Sequence, residues 1–436
     1  MTTLLPQRTT ETTTTKPLVG PDPAELRPGS NVRRRAERAV VRRALEHVDG
    51  VVLVENADAP LAVPGATRRD GAHVLTVRDD RAWSAVARDG SAGLGEGYFR
   101  GWWHTDDLVG LLQVFIRSVS GFDHWRARAH DLSRPIVDPI RKARRADPAR
   151  DRRNVRAHYD LSNQFFAAFL DETMTYSSAV FASPDAPLAD ASRTKLERLC
   201  RKIDLRAEHR TVEIGTGWGS FALHAASNHG VHVTTTTVSA AQAAFARRLF
   251  AESGVGERIE LLEADYRDLQ GTFDRLVSIE MIEAVDWLDV PGYFANCQRL
   301  LAPDGVMGMQ AIVIADQRYE RARATTDFIK QWVFPGGSLP SVTSIANAAT
   351  QASDLRIIDL EDLSAHYAET LRRWRLQLHE RWADLADLGV TEALGRLWDF
   401  YLAYCEAAFL ERHVSVVQLV LARSEWRPDG LTLRPC

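Results

Sequence analysis

Cysteine is scarce: the chain has four in 436 residues, Cys200, Cys297, Cys405 and Cys436. Their spacing fits neither a zinc-ligand set nor a disulfide framework, so a reducing, cytoplasmic setting is expected. No run of about 18 apolar residues occurs, so a membrane-spanning helix is not expected. The N-terminus lacks the apolar stretch of a secretory signal. Neither sign of charge dominates, with 54 Lys and Arg against 58 Asp and Glu and a net charge of −4. That balance argues against a dedicated nucleic-acid binder. No flavin or nicotinamide motif is visible.

What the chain does contain is enough apolar material for a sizeable core, 45% hydrophobic against 26% charged residues, and a length that suggests two domains. Residues 1–28 are rich in Thr and Pro and are expected to be disordered. Residues 29–123 read as a small α+β domain. Val40, Val41, Leu45 and Val48 recur at roughly helical spacing, Val51–Glu55 and His73–Val77 read as strands, and Leu108–Val119 reads as an amphipathic helix. Residues 124–153 form a Pro-containing linker carrying Arg126, Arg128, Arg134, Arg141, Lys142, Arg144, Arg145, Arg150, Arg152 and Arg153. Such a charge run is either a solvated segment or a contact for anionic lipid headgroups. From 154 to 436 strands and helices alternate: Thr211–Ile214, His232–Thr236, Ile259–Glu263, Phe273–Ile279 and Val306–Ile314 read as strands, and Ala240–Ser253 and Val290–Leu301 as helices. Alternation of this kind predicts a Rossmann-like α/β domain with a parallel sheet, which binds ligands at the carboxyl ends of its strands.

The most specific local feature is Val212–Ser220, VEIGTGWGS. Glu213, Gly215, Gly217 and Gly219 form an acidic-x-Gly-x-Gly-x-Gly loop between a strand and a helix, where backbone N–H groups can approach a ligand closely. Dinucleotide enzymes usually show G-x-G-x-x-G; the G-x-G-x-G spacing here looks like that of S-adenosylmethionine (SAM) methyltransferases. The second strand ends in TTTTVS without a carboxylate, leaving Gln242 and the hydroxyls of Thr237 or Ser239 for the ribose. Asp265, followed by Tyr266, is placed to meet the adenine amino group. Each also has a structural reading, since Thr favours strands and Asp caps helices.

Seven further stretches carry a family resemblance. YDLSNQFF (Tyr159–Phe166), MTYSSAVF (Met174–Phe181), DYRDL (Asp265–Leu269), SIEMIEAV (Ser278–Val285), DFIKQWVFPGGSLPS (Asp327–Ser341), YCEAAFLER (Tyr404–Arg412) and LGEGYFRGWW (Leu94–Trp103) together resemble the cyclopropane-fatty-acyl-phospholipid synthases and their relatives that methylate mycolic or ordinary fatty acyl chains. The resemblance spans roughly Asn31 to Val420. It implies methyl transfer from SAM to the cis double bond of an unsaturated acyl chain in membrane phospholipid. The resulting carbocation must be kept from water and must lose a proton. Direct ring closure gives a cyclopropane. A hydride shift first gives a 10-methylene fatty acid, a precursor of 10-methylstearate that needs a separate reductase.

By the same resemblance, Tyr159, Tyr176 and Ser177 help close the SAM site, and a bound bicarbonate is the base. Glu283, Tyr367 and Ile312 match three of its holders, while Gln310 stands where His is usual and Ser178 where Cys is usual. Both can donate hydrogen bonds to an oxyanion, but neither titrates as imidazole or thiol does, so Glu283 or Tyr367 acting directly stays open. If Glu283 is the base, Glu283→Gln removes most turnover and leaves SAM binding intact. Two other functions stay in view, a methyltransferase for a small-molecule acceptor and an inactive lipid-binding relative. The resemblance also implies peripheral attachment to the inner face of the membrane and a possible homodimer through the first domain. If the basic linker drives attachment, binding to anionic liposomes weakens steeply as salt rises towards about 1 M, where screening is short-ranged; a sedimentation assay across salt concentrations checks this.

Overall fold

The computed structural model describes residues 31–46, 48–56, 58, 72–118 and 162–428. The N-terminal tail, the basic linker and Tyr159 lie outside the described residues, as does Cys436. Among the described residues the cysteines are free, and no helix is long and apolar enough to cross a membrane.

The N-terminal part, read above as a first domain, holds helices Asn31–Leu45, Arg81–Asp89 and Ser91–Phe99, a further helix over 108–118, and strands β1 (Val51–Glu55), β2 (His73–Val77) and β3 (Trp103–His104). β1 and β2 are parallel, and β3 returns antiparallel to β2. The glycine-rich stretch read from the sequence lies mostly in the helix Ser91–Phe99.

The larger unit is built on seven strands: β4 (Arg210–Ile214), β5 (His232–Thr236), β6 (Ile259–Leu262), β7 (Phe273–Ile279), β8 (Leu301–Ile314), β9 (Arg356–Asp362) and β10 (Val414–Ala422). Their order is β6-β5-β4-β7-β8-β10-β9. The chain runs outward from β4 to β6 and then returns to the other side, so strand order reverses between β4 and β7, where open α/β sheets form their ligand crevice. The five strands read from the sequence are parallel, as expected. β10, which is inserted between β8 and β9 and antiparallel to both, is a strand of the opposite sense that strand–helix alternation does not announce.

The sheet is sandwiched. Leu276, Leu419 and Leu421 face a core shared with the helices Val290–Leu300 and Val342–Ala352. Their neighbours Val277 and Val420 face Leu196, Leu199, Phe221 and Ala246 on the other side, the period-two alternation of a strand buried on both faces. A third core runs without a break from the first domain into the helices Ser364–Glu380 and Glu392–Leu410. Tyr98 Oη donates to the buried Asp399 at 2.6 Å, and Arg396 donates to the Tyr98 carbonyl at 3.1 Å. Burial alone would raise the Asp399 carboxyl, but His379, Arg375 and Tyr98 outweigh it and hold the group below its usual range.

Gly95 sits in this seam. A Cβ there would stand 2.1 Å from Phe328 and 2.9 Å from Phe400, two rings that are themselves fully buried and packed edge to face. Gly95→Ala is therefore expected to destabilise the protein by about 1–3 kcal/mol, the usual cost of overpacking; denaturant titration against the wild type measures it.

Candidate active site

The glycine loop leaves β4 at its carboxyl end with Gly215, Gly217 and Gly219 all at positive φ, 96°, 54° and 100°. At Gly217 nothing lies within 4 Å of where a Cβ would stand, so the loop leaves open space above the backbone. That space belongs to a cavity of about 400 Å³ that runs from the loop into the protein. Glu213, Gly215 and Gly217 line one end, with Thr237, Gln242, Asp265 and Tyr266. This end fits a nucleoside-bearing ligand: an open glycine cradle, amide and hydroxyl groups, and a carboxylate.

Sequence-expected cofactor residues divide here. Thr237 Oγ1 donates to Gln242 Oε1 at 3.0 Å, which leaves the Gln242 amide nitrogen available. Ser239 accepts from the Gln242 N–H as the cap of the helix Ala240–Glu252 and does not line the cavity; its role is to start that helix. Gly219 likewise stands behind the lining, close against Phe250. The Asp265 carboxylate accepts two side-chain hydrogen bonds from Arg267, each of 2.8 Å, so it meets a ligand as a partly neutralised group. Tyr176 lines the cavity and donates to Tyr401 Oη at 3.1 Å, and Ser177 lines it too.

The other end of the cavity is aromatic and aliphatic. Tyr367, Tyr401, Phe334, Phe409 and Ile312 line it. Among the aromatic residues of this region, Phe334 is a wall. Phe328 is core, Trp332 packs edge-on against Phe99, and Trp287 lies under the Arg323 guanidinium.

Two carboxylates sit between these ends, in the turn after β7. Glu283 accepts from the Ile312 N–H with one oxygen, and its other oxygen has no hydrogen-bond partner among the described residues. Glu280 accepts from Tyr367 Oη at 2.7 Å, Gln310 Nε2 at 2.7 Å and the Ser178 N–H at 2.9 Å. Both keep some accessible surface, and both line the cavity deep in the protein. Burial pushes the Glu283 carboxyl up to about 8, and the charge on Glu280 adds to the shift. Burial also raises Glu280, against three hydrogen bonds and the charge of Lys195. Two unscreened carboxylates so close cannot both ionise readily. Of the two, Glu280 is the one whose ionised form is met by donors, three of them, against burial.

The sequence placed Gln310 and Ser178 at the anion site. Both are wholly buried, and neither lines the cavity: the Ser178 hydroxyl donates to the Ala179 carbonyl, and the Gln310 amide is engaged by Glu280 and Gln418. Two residues escaped the sequence reading. Glu280 lies in the stretch SIEMIEAV with no role assigned to it, although Glu at i and i+3 is a visible signal there. Lys195 is fully buried, lines the cavity and donates to Ser177 Oγ at 2.8 Å. Its signal was a lysine on the apolar stripe of the helix Leu188–Lys202, beside Leu188, Ala191, Leu196 and Leu199. Burial pushes its ammonium down, opposed by Glu280, Asp171 and Glu213. Away from the cavity, Cys200, His224 and His229 bring possible ligand atoms within 4.8 Å of one another, but both imidazoles are already paired with Glu197.

The model of the mycolic acid cyclopropane synthetase family matches residues 146–419. Tuberculostearic acid methyltransferase UfaA1 of Mycobacterium tuberculosis is 41% identical, over 79% of this chain and 82% of its own. Cyclopropane-fatty-acyl-phospholipid synthase of Escherichia coli is 32% identical, over 84% of this chain and 91% of its own. Among solved structures, mycolic acid cyclopropane synthase CmaA1 complexed with SAH and CTAB superposes with a TM-score of 0.58 at 30% identity, covering 62% of this chain and 98% of that one.

A carboxyl raised in the folded state binds a proton that the unfolded chain has lost, so it subtracts stability as pH climbs from its unfolded value to its folded one. For Glu283 that window ends at about 8. The thermal midpoint of Glu283→Gln relative to wild type should therefore rise between about pH 6 and about pH 8; a difference that stays flat across melts at several pH values would contradict this placement.

Proposed function

This chain belongs to the mycolic acid cyclopropane synthetase family, and from that premise we propose that it transfers the methyl group of SAM to the cis double bond of an unsaturated fatty acyl chain in membrane phospholipid. It is a SAM-dependent methyltransferase acting on fatty acyl chains, like the relatives it matches over most of their length. The observation that carries the reading is the continuous cavity, with a glycine cradle at one end, an apolar aromatic chamber at the other, and buried carboxylates between them. A small-molecule acceptor would call for a polar chamber, and this one is lined by rings and aliphatic groups.

SAM supplies a methyl group on a sulfonium, electrophilic enough for an alkene to attack. Glu213, Gly215, Gly217, Thr237, Gln242, Asp265 and Tyr266 hold it in this reading, with Tyr159, Tyr176 and Ser177 closing over it. Gly219 and Ser239 shape the loop and the helix start behind it. Phe334, Tyr401, Phe409 and Ile312 surround the reacting carbons and keep water from the cation. Glu283, Tyr367 and Ile312 line the polar side of the chamber, with Gln310 and Ser178 supporting it from behind through hydrogen bonds to Glu280; a proton is removed from the new methyl group there.

The 41%-identical relative is named a methyltransferase rather than a cyclopropane synthase, which favours a 10-methylene product and a reductase acting after this enzyme. The first domain and basic linker would dock the protein on the cytoplasmic membrane surface. Val32, Val40 and Val52 are exposed there, and Arg33, Arg34, Arg35, Arg42 and Arg43 are exposed beside them, a pairing of apolar and basic groups suited to an anionic bilayer. Pairing of two first domains would strengthen such attachment.

Incubation with SAM and liposomes of a cis-monounsaturated phospholipid, followed by hydrolysis and NMR of the fatty acid, tests the reading. Vinylidene protons are the expected result. Upfield ring protons would instead assign ring closure, and no product with SAM still bound would sink the fatty acyl reading.

A further inference from the structure

The proposed reaction ends with loss of a proton from the newly added methyl group, and the choice of a base for that step rests on the fatty acyl reading. The resemblance supplies an exogenous anion as base, held by Tyr367 and by the residues at positions 310 and 178 among others. In this chain those three positions already hold an anion: the Tyr367 hydroxyl, the Gln310 amide and the Ser178 N–H all donate to the Glu280 carboxylate. The buried Lys195 adds its charge nearby. Glu280 also faces the cavity. We propose that Glu280 is the catalytic base, a carboxylate built into the chain where relatives are expected to bind bicarbonate.

The chemistry balances on this one group. A C–H bond of the new methyl breaks, and the proton passes to a Glu280 oxygen, leaving a neutral carboxylic acid. The released electron pair forms the third C–C bond of a cyclopropane or, after a hydride shift, the π bond of a methylene. A carbocation makes its neighbouring C–H bonds strongly acidic, so a carboxylate with three hydrogen bonds is basic enough. What the step requires is position and the exclusion of water.

Glu283 is the weaker candidate. Among the described residues one other residue donates to it, Ile312, and burial together with the Glu280 charge pushes its carboxyl up to about 8. The backbone points the same way. Glu280 holds φ at 50°, a left-handed conformation unusual for a non-glycine residue and kept only where surroundings enforce it.

The test is the rate of product formation in buffer stripped of CO2 and bicarbonate, with and without added bicarbonate. The wild type should run at the same rate in both, within about twofold. Glu280→Gln should lose about 100-fold or more in turnover, in line with removal of a general base, while binding SAM normally. Glu280→Gly suits the left-handed backbone and leaves a hole among the three donors; it should be inactive in stripped buffer and partly rescued by bicarbonate. A wild-type rate that falls severalfold on stripping overturns the proposal without any variant, as does near-normal turnover by Glu280→Gln. A wild type that forms no product in either buffer removes the fatty acyl reaction itself, and the proposal with it.

Discussion

A carboxylate taken out of water costs several kcal/mol unless donors replace its hydration, and the replacement at Glu280 organises the catalytic unit. Its three donors come from distant segments: the stretch before the helix Leu188–Lys202, β8, and the helix Ser364–Glu380. The Gln310 amide is itself oriented. Gln418 lies directly opposite it in the β8–β10 register and donates to its oxygen at 3.1 Å, which turns the amide nitrogen towards Glu280. The antiparallel strand β10 thus aims a side chain at the site as well as closing a core.

The chamber depends on the first domain as well. Phe334 and Tyr401 face the cavity, while Phe328 and Phe400, on the same two segments, pack against Gly95, Tyr98 and Trp103. A wall that must shield a cation cannot be a loose one, and its outer side is held by a continuous aromatic core. Close approach at Gly95 and the buried Tyr98–Asp399 hydrogen bond fix how the two parts meet. The first domain therefore has a packing role at the active site in addition to the membrane role proposed for it.

Much of the fold was legible locally. His232–Thr236 and Phe273–Ile279 form as read because β-branched and apolar runs bounded by turns leave few alternatives. β9 and β10 were missed. The β9 run, RIIDLED, alternates in burial and carries four charged residues, and nothing in a strand–helix alternation signals that the last strand inserts between two earlier ones. The cofactor end was legible because the glycine loop is contiguous and its chemistry is backbone chemistry. Ser239, Gly219, Gln310 and Ser178 were named from their places in the motifs, and they prove to stand behind the cavity lining rather than in it.

Sequence by itself determined the α/β class, the SAM-type loop, the set of motifs and hence the family, because each is carried by short contiguous stretches or by local periodicity. Only the tertiary structure decided which carboxylate is met by donors. Glu280 and Glu283 are the same residue type three positions apart, and they differ only in surroundings. One is met by three donors and a buried lysine from remote segments, and the other by a single backbone N–H. Burial and hydrogen bonding set a carboxyl's ionisation, and both are properties of the folded neighbourhood rather than of the residue.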